Sequence, residues 1–280
     1  MIKKEDLRIR DPFIYADKEN KIYYIYGTTE LKEGLSAGDK FSLYTSKDLE
    51  CFEGPFVVFD GKKINFWADK DYWAAEVHKY KDKYYLIGSF KADGKHRASC
   101  ILSSDSLLGE FTPISDKART PIDWDCLDGT LYIENAEPYL VFSHEWLQCT
   151  VGEIWAQKMS DDLTEPVEEP FMLFKASDNP YVTSFADAFN SECRVTDGPF
   201  LFKKNGKIKM IWSSFSNGKY VILEAESNSI KGKWNHFPPR FDFDGGHAMI
   251  FEDFDGERYL SFHSPNTPPN ERIYLVKYEK

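Results

Sequence analysis

Residues 10–28 read RDPFIYADKENKIYYIYGT. Two runs rich in aromatic and β-branched residues flank a polar turn, the pattern of a β-hairpin. The unit returns as AAEVHKYKDKYYLIGSF at 74–90, LDGTLYIENAEPYLVFSH at 127–144, TDGPFLFKKNGKIKMIWSSF at 196–215 and GGHAMIFEDFDGERYLSFHS at 245–264. Five units in 280 residues average about 56 residues each, a little above the roughly 40–50 of a propeller blade. Stretches such as SLYTSKDLECFEG and CILSSDSLLGEF supply the outer strands. The repetition predicts an all-β fold, a five-bladed β-propeller formed by residues 1–280 as one domain, each blade four antiparallel strands around a central channel.

The rest of the chain agrees with one globular β unit. Hydrophobic residues are 42% of the sequence, enough for a core, and long helical periodicity is scarce. Residues 27–40 read as a polar loop and 176–195 as irregular. The net charge of −11 argues against a nucleic-acid partner, which would call for a basic face. The N-terminus, MIKKEDLRIRDPF, has no apolar run of signal-peptide type, and no stretch reaches the length of a membrane span. A cytoplasmic protein with no membrane partner is therefore expected. Five cysteines, with no CxxC, predict reduced thiols rather than disulfides or zinc.

In a propeller, the first strand of each hairpin lines the channel. The opening residues of these strands are Asp11, Glu76, Asp128, Asp197 and His247, so five polar groups are expected to converge on the axis. The second strands return to the same end and rim the pocket with Thr28 and Thr29, Ser89 and Phe90, His144 to Trp146, Ser214 and Phe215, and His263 and Ser264. Carboxylates, imidazoles and aromatic faces around one pocket suit a sugar. Trp73, Trp146 and Phe215 are candidates for stacking on its apolar face, with blade-to-blade packing as the competing role. Glu76 is a candidate hydroxyl partner or a structural ion pair.

The motifs RDPF at Asp11, WAAEVHKY at Glu76, LDGTLY at Asp128, TDGPFL at Asp197 and GGHAMIF at His247 occur in the order seen in glycoside hydrolase family 43. As a set, covering nearly the whole chain, they resemble that family of inverting five-bladed propellers. The resemblance implies Asp11 as general base, Asp128 as the carboxylate that adjusts and holds the acid, and Asp197 as general acid. It implies His247 as the axial histidine that binds a calcium ion or a water cluster in many members. It also implies α-L-arabinofuranosides, β-xylosides and arabinans as the substrate class. Two positions depart from the pattern. The family's acid is usually Glu in EGP, where this chain has Asp197 in TDGP, and the proline of WAP is Ala75.

An inverting glycosidase needs one carboxylate to activate water and one carboxylic acid to protonate the leaving group, about 6.5–9.5 Å apart. Carboxylates on different blades can meet that spacing, and the charge of Asp128 would keep a neighbouring acid protonated. Each aspartate alone also fits a turn-capping role. Glu145 in SHEW, placed on the rim, is a second candidate for the acid or for a hydroxyl ligand. The expected activity is release of arabinofuranosyl or xylosyl units from short oligosaccharides. A galactosidase of the same fold and a propeller that binds carbohydrate without cleaving it are the alternatives.

Overall fold

The computed structural model describes residues 1–29, 31–32, 36–184 and 192–278. Parts of the two expected loops, 27–40 and 176–195, fall outside these residues. Strand accounts for 55% of residues and helix for 4%, so no helical layer competes with the sheets. Among the described residues there is no helix long and apolar enough to cross a membrane.

Five antiparallel sheets form the five blades of a propeller. Blade 1 contains β1 (Ile2–Lys3), β2 (Arg10–Asp17), β3 (Ile22–Thr28), β4 (Lys40–Ser46) and β5 (Cys51–Asp60), in the order β2-β3-β4-β5-β1 from the inside. Blade 2 runs β6 (Lys70–Tyr80), β7 (Lys83–Lys91), β8 (Ala98–Ser104) and β9 (Thr112–Pro113). Blade 3 runs β10 (Cys126–Glu134), β11 (Glu137–His144), β12 (Glu153–Lys158) and β13 (Phe171–Lys175). A single helical turn, α1 (Trp146–Cys149), follows β11. Blade 4 runs β14 (Asp197–Lys204), β15 (Lys207–Ser216), β16 (Lys219–Ser227) and β17 (Asn235–His236). Blade 5 has β18 (Gly246–Glu252), β19 (Arg258–Ser264) and β20 (Arg272–Lys277).

The fifth blade thus has three strands rather than the expected four. Its outer edge is met by one bridge from the N-terminal segment, Arg8 to Arg272. Charge reinforces that closure. The fully buried Glu271 accepts from Arg8 Nε at 3.1 Å and from Arg10 Nη1 at 3.2 Å. Removing Glu271 would take one of the two carboxylates from Arg10, leaving it to Asp11 and Asn266.

The core lies between the blades. Four apolar clusters fill the interfaces, with Phe41 and Phe90 between blades 1 and 2, Phe142 between 2 and 3, Trp212 between 3 and 4, and Phe262 between 4 and 5. Each is fully buried, contributing about 1.5–3 kcal/mol relative to exposure. Strand faces that alternate inward and outward deliver these rings to the neighbouring sheet. Gly88 is required by this packing, because a Cβ there would stand 2.5 Å from Phe41 Cζ.

Candidate active site

Each innermost strand breaks register near its start. The breaks fall between Arg10 and Phe13, Trp73 and Glu76, Leu127 and Thr130, Asp197 and Phe200, and Gly246 and Met249. Within each break, one residue adopts a left-handed conformation: Asp11 (φ 53°), Ala74 (50°), Asp128 (55°), Gly198 (53°) and His247 (55°). A bulge of this kind re-aims a side chain, here toward the channel. For a non-glycine residue it costs about 1–2 kcal/mol, a strain borne at the site.

This geometry corrects the expected alignment of the five units. Asp11, Asp128 and His247 are equivalent, as expected, but their partners in blades 2 and 4 are Ala74 and Gly198. Asp197 stands one residue earlier, pairing with Ser213 as Arg10 pairs with Thr28 and Trp73 with Ser89. Glu76 stands two residues later, pairing with Ile87. It is buried away from the cavity, 2.9 Å from His78 Nε2.

The bulge N–H groups tie the blades into a ring. Ala74 N–H donates to Thr28 Oγ1 at 2.8 Å, Asp128 N–H to Ser89 Oγ at 2.8 Å, and His247 N–H to Ser213 Oγ at 2.7 Å. Asp11 N–H closes the ring onto His263 Nδ1 at 3.2 Å. In each case the acceptor lies on the second strand of the preceding blade. Blade 4 is the exception. Gly198 N–H passes over Ser143, whose hydroxyl has no partner, and donates to Asp128 Oδ2 at 2.9 Å. That bond fixes the Asp128 carboxylate beside the residue that follows Asp197. Gly198 must also be glycine because a Cβ would stand 2.8 Å from the His247 ring.

A cavity of about 240 Å³ opens on this ring, lined by Arg10, Asp11, Thr28, Trp73, Leu127, Asp128, Glu145, Trp146, Leu147, Asp197, Tyr220 and His247. Of the residues proposed from sequence, Asp11, Asp128, Asp197, His247, Trp73, Glu145 and Trp146 are therefore brought together. Glu76 and Phe215 are not among the lining residues. Phe215 packs against Tyr220 instead, ring centres 5.4 Å apart. Ser89 and His263 serve the ring of hydrogen bonds, and His144 stacks on Trp124 at 4.5 Å.

Four lining residues were missed, the apolar Leu127 and Leu147 and the polar Arg10 and Tyr220. Arg10 adjoins Asp11 in the RDPF motif, and its Nη2 is held by Asn266 Oδ1 at 2.7 Å. Tyr220 opens the third strand of blade 4 and carries no motif at all. It is 2% exposed, and its hydroxyl donates to Asp197 Oδ2 at 3.0 Å.

Electrostatics separate the three aspartates. Burial alone would raise Asp11, but His247, then His263 and Arg10, outweigh it and hold its carboxyl well below the usual range. The Thr28 hydroxyl adds a 2.6 Å hydrogen bond to Oδ2. His263 Nδ1 faces both the Asp11 N–H, at 3.2 Å, and Asp11 Oδ1, at 3.4 Å, and its Nε2 stands 3.0 Å from Asn266 Oδ1. Asp128 is raised to about 6, by burial first and then by the charge of Asp11, against the pull of His247 and the Gly198 N–H. Asp197 is raised to about 8, by burial and then by Asp128, against His247 and Tyr220. At neutral pH the site thus holds one ionised carboxylate on blade 1 and one protonated carboxyl on blade 4. Tyr220 occupies Oδ2 of the latter, leaving Oδ1 to carry its proton.

His247 lies between the negative groups, Nδ1 at 3.2 Å from Asp11 Oδ1 and 3.7 Å from Asp128 Oδ2. Burial would lower its basicity, but these carboxylates raise it. Calcium takes six to eight oxygen ligands. Around His247 the described residues offer an imidazole already committed to carboxylates, and no three ligand atoms there come within 4.8 Å of one another. Side chains alone therefore supply few oxygens for calcium at His247, and an axial ion there would take most of its ligands from water.

Comparison with known proteins gives this geometry its family. Residues 6–277 match the model of glycosyl hydrolases family 43. An endo-arabinase structure from Bacteroides thetaiotaomicron VPI-5482 is 39% identical, with a TM-score of 0.91, covering 100% of this chain and 97% of that one. The extracellular exo-α-(1→5)-L-arabinofuranosidase ArbA of Cellvibrio japonicus (strain Ueda107) is 19% identical over 96% of this chain and 81% of its own length. CoXyl43, a β-xylosidase/α-arabinofuranosidase from a compost microbial metagenome, was solved with xylotriose in a calcium-free form. It is 18% identical, with a TM-score of 0.72 over 98% of this chain and 92% of that one. With its five blades, its matched motifs and a carboxylate-lined cavity on the ring of bulges, this chain belongs to glycosyl hydrolase family 43 and is a glycosidase.

Proposed function

We propose that this glycosidase hydrolyses α-L-arabinofuranosyl linkages of short oligosaccharides with inversion, using Asp11 as base and Asp197 as acid. The observation that carries the reading is the convergence of these two carboxyls, from different blades, on one cavity, Asp11 beside His247 and Thr28 and Asp197 beside Tyr220. Asp11, held ionised by His247, Arg10 and Thr28, takes a proton from water as the water attacks the anomeric carbon. Asp197 gives the proton on Oδ1 to the departing oxygen. The carboxylate it becomes is then stabilised by the Tyr220 hydroxyl. Asp128 keeps Asp197 protonated through its charge, and its bond from Gly198 N–H holds that charge in place. His247 relieves the repulsion between Asp128 and Asp11. Trp73 and Trp146 offer faces for the apolar side of the sugar ring.

Support for the arabinofuranosyl linkage, over a xylosyl or galactosyl one, comes from the 39% identity to an endo-arabinase. Exo action is supported by the small cavity, about 240 Å³, on which Asp11, Asp128 and Asp197 converge. Incubation with arabinotriose, xylotriose and a nitrophenyl galactoside, followed by product analysis, tests the reading. Arabinose appearing one unit at a time from arabinotriose alone is expected. Cleavage restricted to either other substrate would overturn the choice of sugar, and failure on all three would favour a propeller that only binds carbohydrate.

A further inference from the structure

Arg97 stands behind two walls of the cavity without lining it. It precedes β8, is 7% exposed, and its guanidinium carbon lies 3.7 Å from the centre of the Trp73 ring. Its Nε is 3.7 Å from Glu145 Oε2 and its Nη2 3.7 Å from Asp71 Oδ2, both too far for a hydrogen bond. Arg97 Nε and Nη1 are buried without a hydrogen-bond partner, as is Trp73 Nε1. Buried donors are normally satisfied, and each exception calls for a reason.

The frame around them is not loose. Arg97 N–H donates to Asp125 Oδ1 at 2.7 Å, and Glu145 N–H donates to the Asp125 carbonyl at 2.7 Å. Both backbones are pinned to one residue while the side chains stop short of each other. Arg97 also repeats the position of Tyr220. Each stands two residues before the third-strand partner of the second strand, Ser99 in blade 2 and Ile222 in blade 4. Each touches the residue just before the bulge of its own blade, Asp197 for Tyr220 and Trp73 for Arg97. In blade 4 the device holds a carboxyl; in blade 2 it holds an aromatic wall.

We propose that Arg97 is a positioning residue for the sugar unit next to the one being cleaved, fixing the plane of Trp73 and presenting Glu145 as a hydroxyl acceptor. The inference rests on the arabinofuranosyl reading above. Glu145 follows the end of β11 and leads into Trp146 and the exposed Leu147, and all three line the cavity with Trp73, Asp11, Asp128 and His247. A sugar chain leaving the aspartates past Leu147 therefore meets Glu145. Burial, then Asp125 and Asp128, raise the Glu145 carboxyl, and Arg97 is the largest influence opposing them.

The test compares kcat/KM for arabinotriose and for 4-nitrophenyl α-L-arabinofuranoside, whose leaving group has no second sugar. The wild type, Arg97→Lys and Arg97→Met are measured. Lysine keeps the charge but loses the planar stack. Both substrates should lose rate, but arabinotriose at least ten times more, through KM, with Lys between wild type and Met. Equal losses on the two substrates would signal a general structural defect and overturn the proposal. So would unchanged arabinotriose kinetics in Arg97→Lys, which remains decisive if the Met variant fails to fold. A wild type that spares arabinotriose and cleaves xylotriose would overturn only the choice of sugar. The same comparison on xylotriose and 4-nitrophenyl β-xyloside would then decide the role of Arg97.

Discussion

The Tyr220 hydroxyl donates to Asp197 Oδ2 at 3.0 Å, from a third strand into a cavity otherwise built by first and second strands and the segment after β11. This bond favours the ionised carboxyl, while burial and Asp128 favour the protonated one and prevail. Asp197 therefore enters the reaction as an acid and leaves it as a stabilised carboxylate.

Tyr220→Phe separates these two effects. Without the donor, Asp197 should hold its proton to higher pH, so the alkaline limb of the pH–rate profile, which reports its deprotonation, should move upward. The plateau rate should fall about tenfold, the worth of one hydrogen bond to a charged group. A profile displaced downward, or not displaced, would remove Tyr220 from this role.

Asp197 and Glu145 both line the cavity and both carry raised carboxyls, so position alone does not choose the acid. Leaving-group dependence of kcat does. Asp197→Ala should cost about two to four orders of magnitude on arabinotriose and far less on a dinitrophenyl arabinoside, whose phenolate departs without a proton. Glu145→Ala should also spare the dinitrophenyl arabinoside, which has no second sugar, but its loss on arabinotriose should appear in KM with kcat nearly unchanged, whereas Asp197→Ala lowers kcat. The reverse pattern would move the acid to blade 3.

Gly198→Ala tests the bulge. The residue has φ 53°, and its new Cβ would meet the His247 ring at 2.8 Å. Backbone strain of about 1–2 kcal/mol and displacement of His247 should lower the melting temperature by several degrees. Turnover should fall more than the loss of folded protein explains, because Asp11 and Asp128 lose the group between them. A variant with wild-type turnover would show that the His247 position is not needed.

Among the described residues, three side-chain ligand atoms do not converge at His247, so exhaustive chelation tests an axial ion: unchanged turnover and melting temperature would leave His247 to its carboxylates alone. A loss restored by added calcium would place an ion on the axis after all.

The repeat and its motifs made the propeller legible, since a hairpin pattern survives in any sequence that pairs strands. Asp11, Asp128, Asp197 and His247 were legible for the same reason. What the motifs concealed was register. RDP, LDG and GGH place their polar residue at the left-handed bulge, whereas TDGP gives that place to Gly198 and WAAE to Ala74. The one-residue offset of Asp197 and the two-residue offset of Glu76 follow from that backbone choice, which side-chain chemistry does not announce. Tyr220 and Arg97 were hidden because they open third strands, where no motif marks them and only the blade's pairing brings them inward. Phe215 was misplaced because the ring of Tyr220 lies against it.

The central claim is that Asp11 delivers water while Asp197 protonates the opposite side of the same bond, and the anomer of the first product tests it most directly. Proton NMR over the opening minutes of arabinotriose hydrolysis distinguishes the two anomers before they equilibrate. The account predicts that β-L-arabinofuranose appears first and the α form grows in later. An α product from the start would mean retention, with one of these carboxylates attacking carbon itself, and would contradict the roles assigned to Asp11 and Asp197.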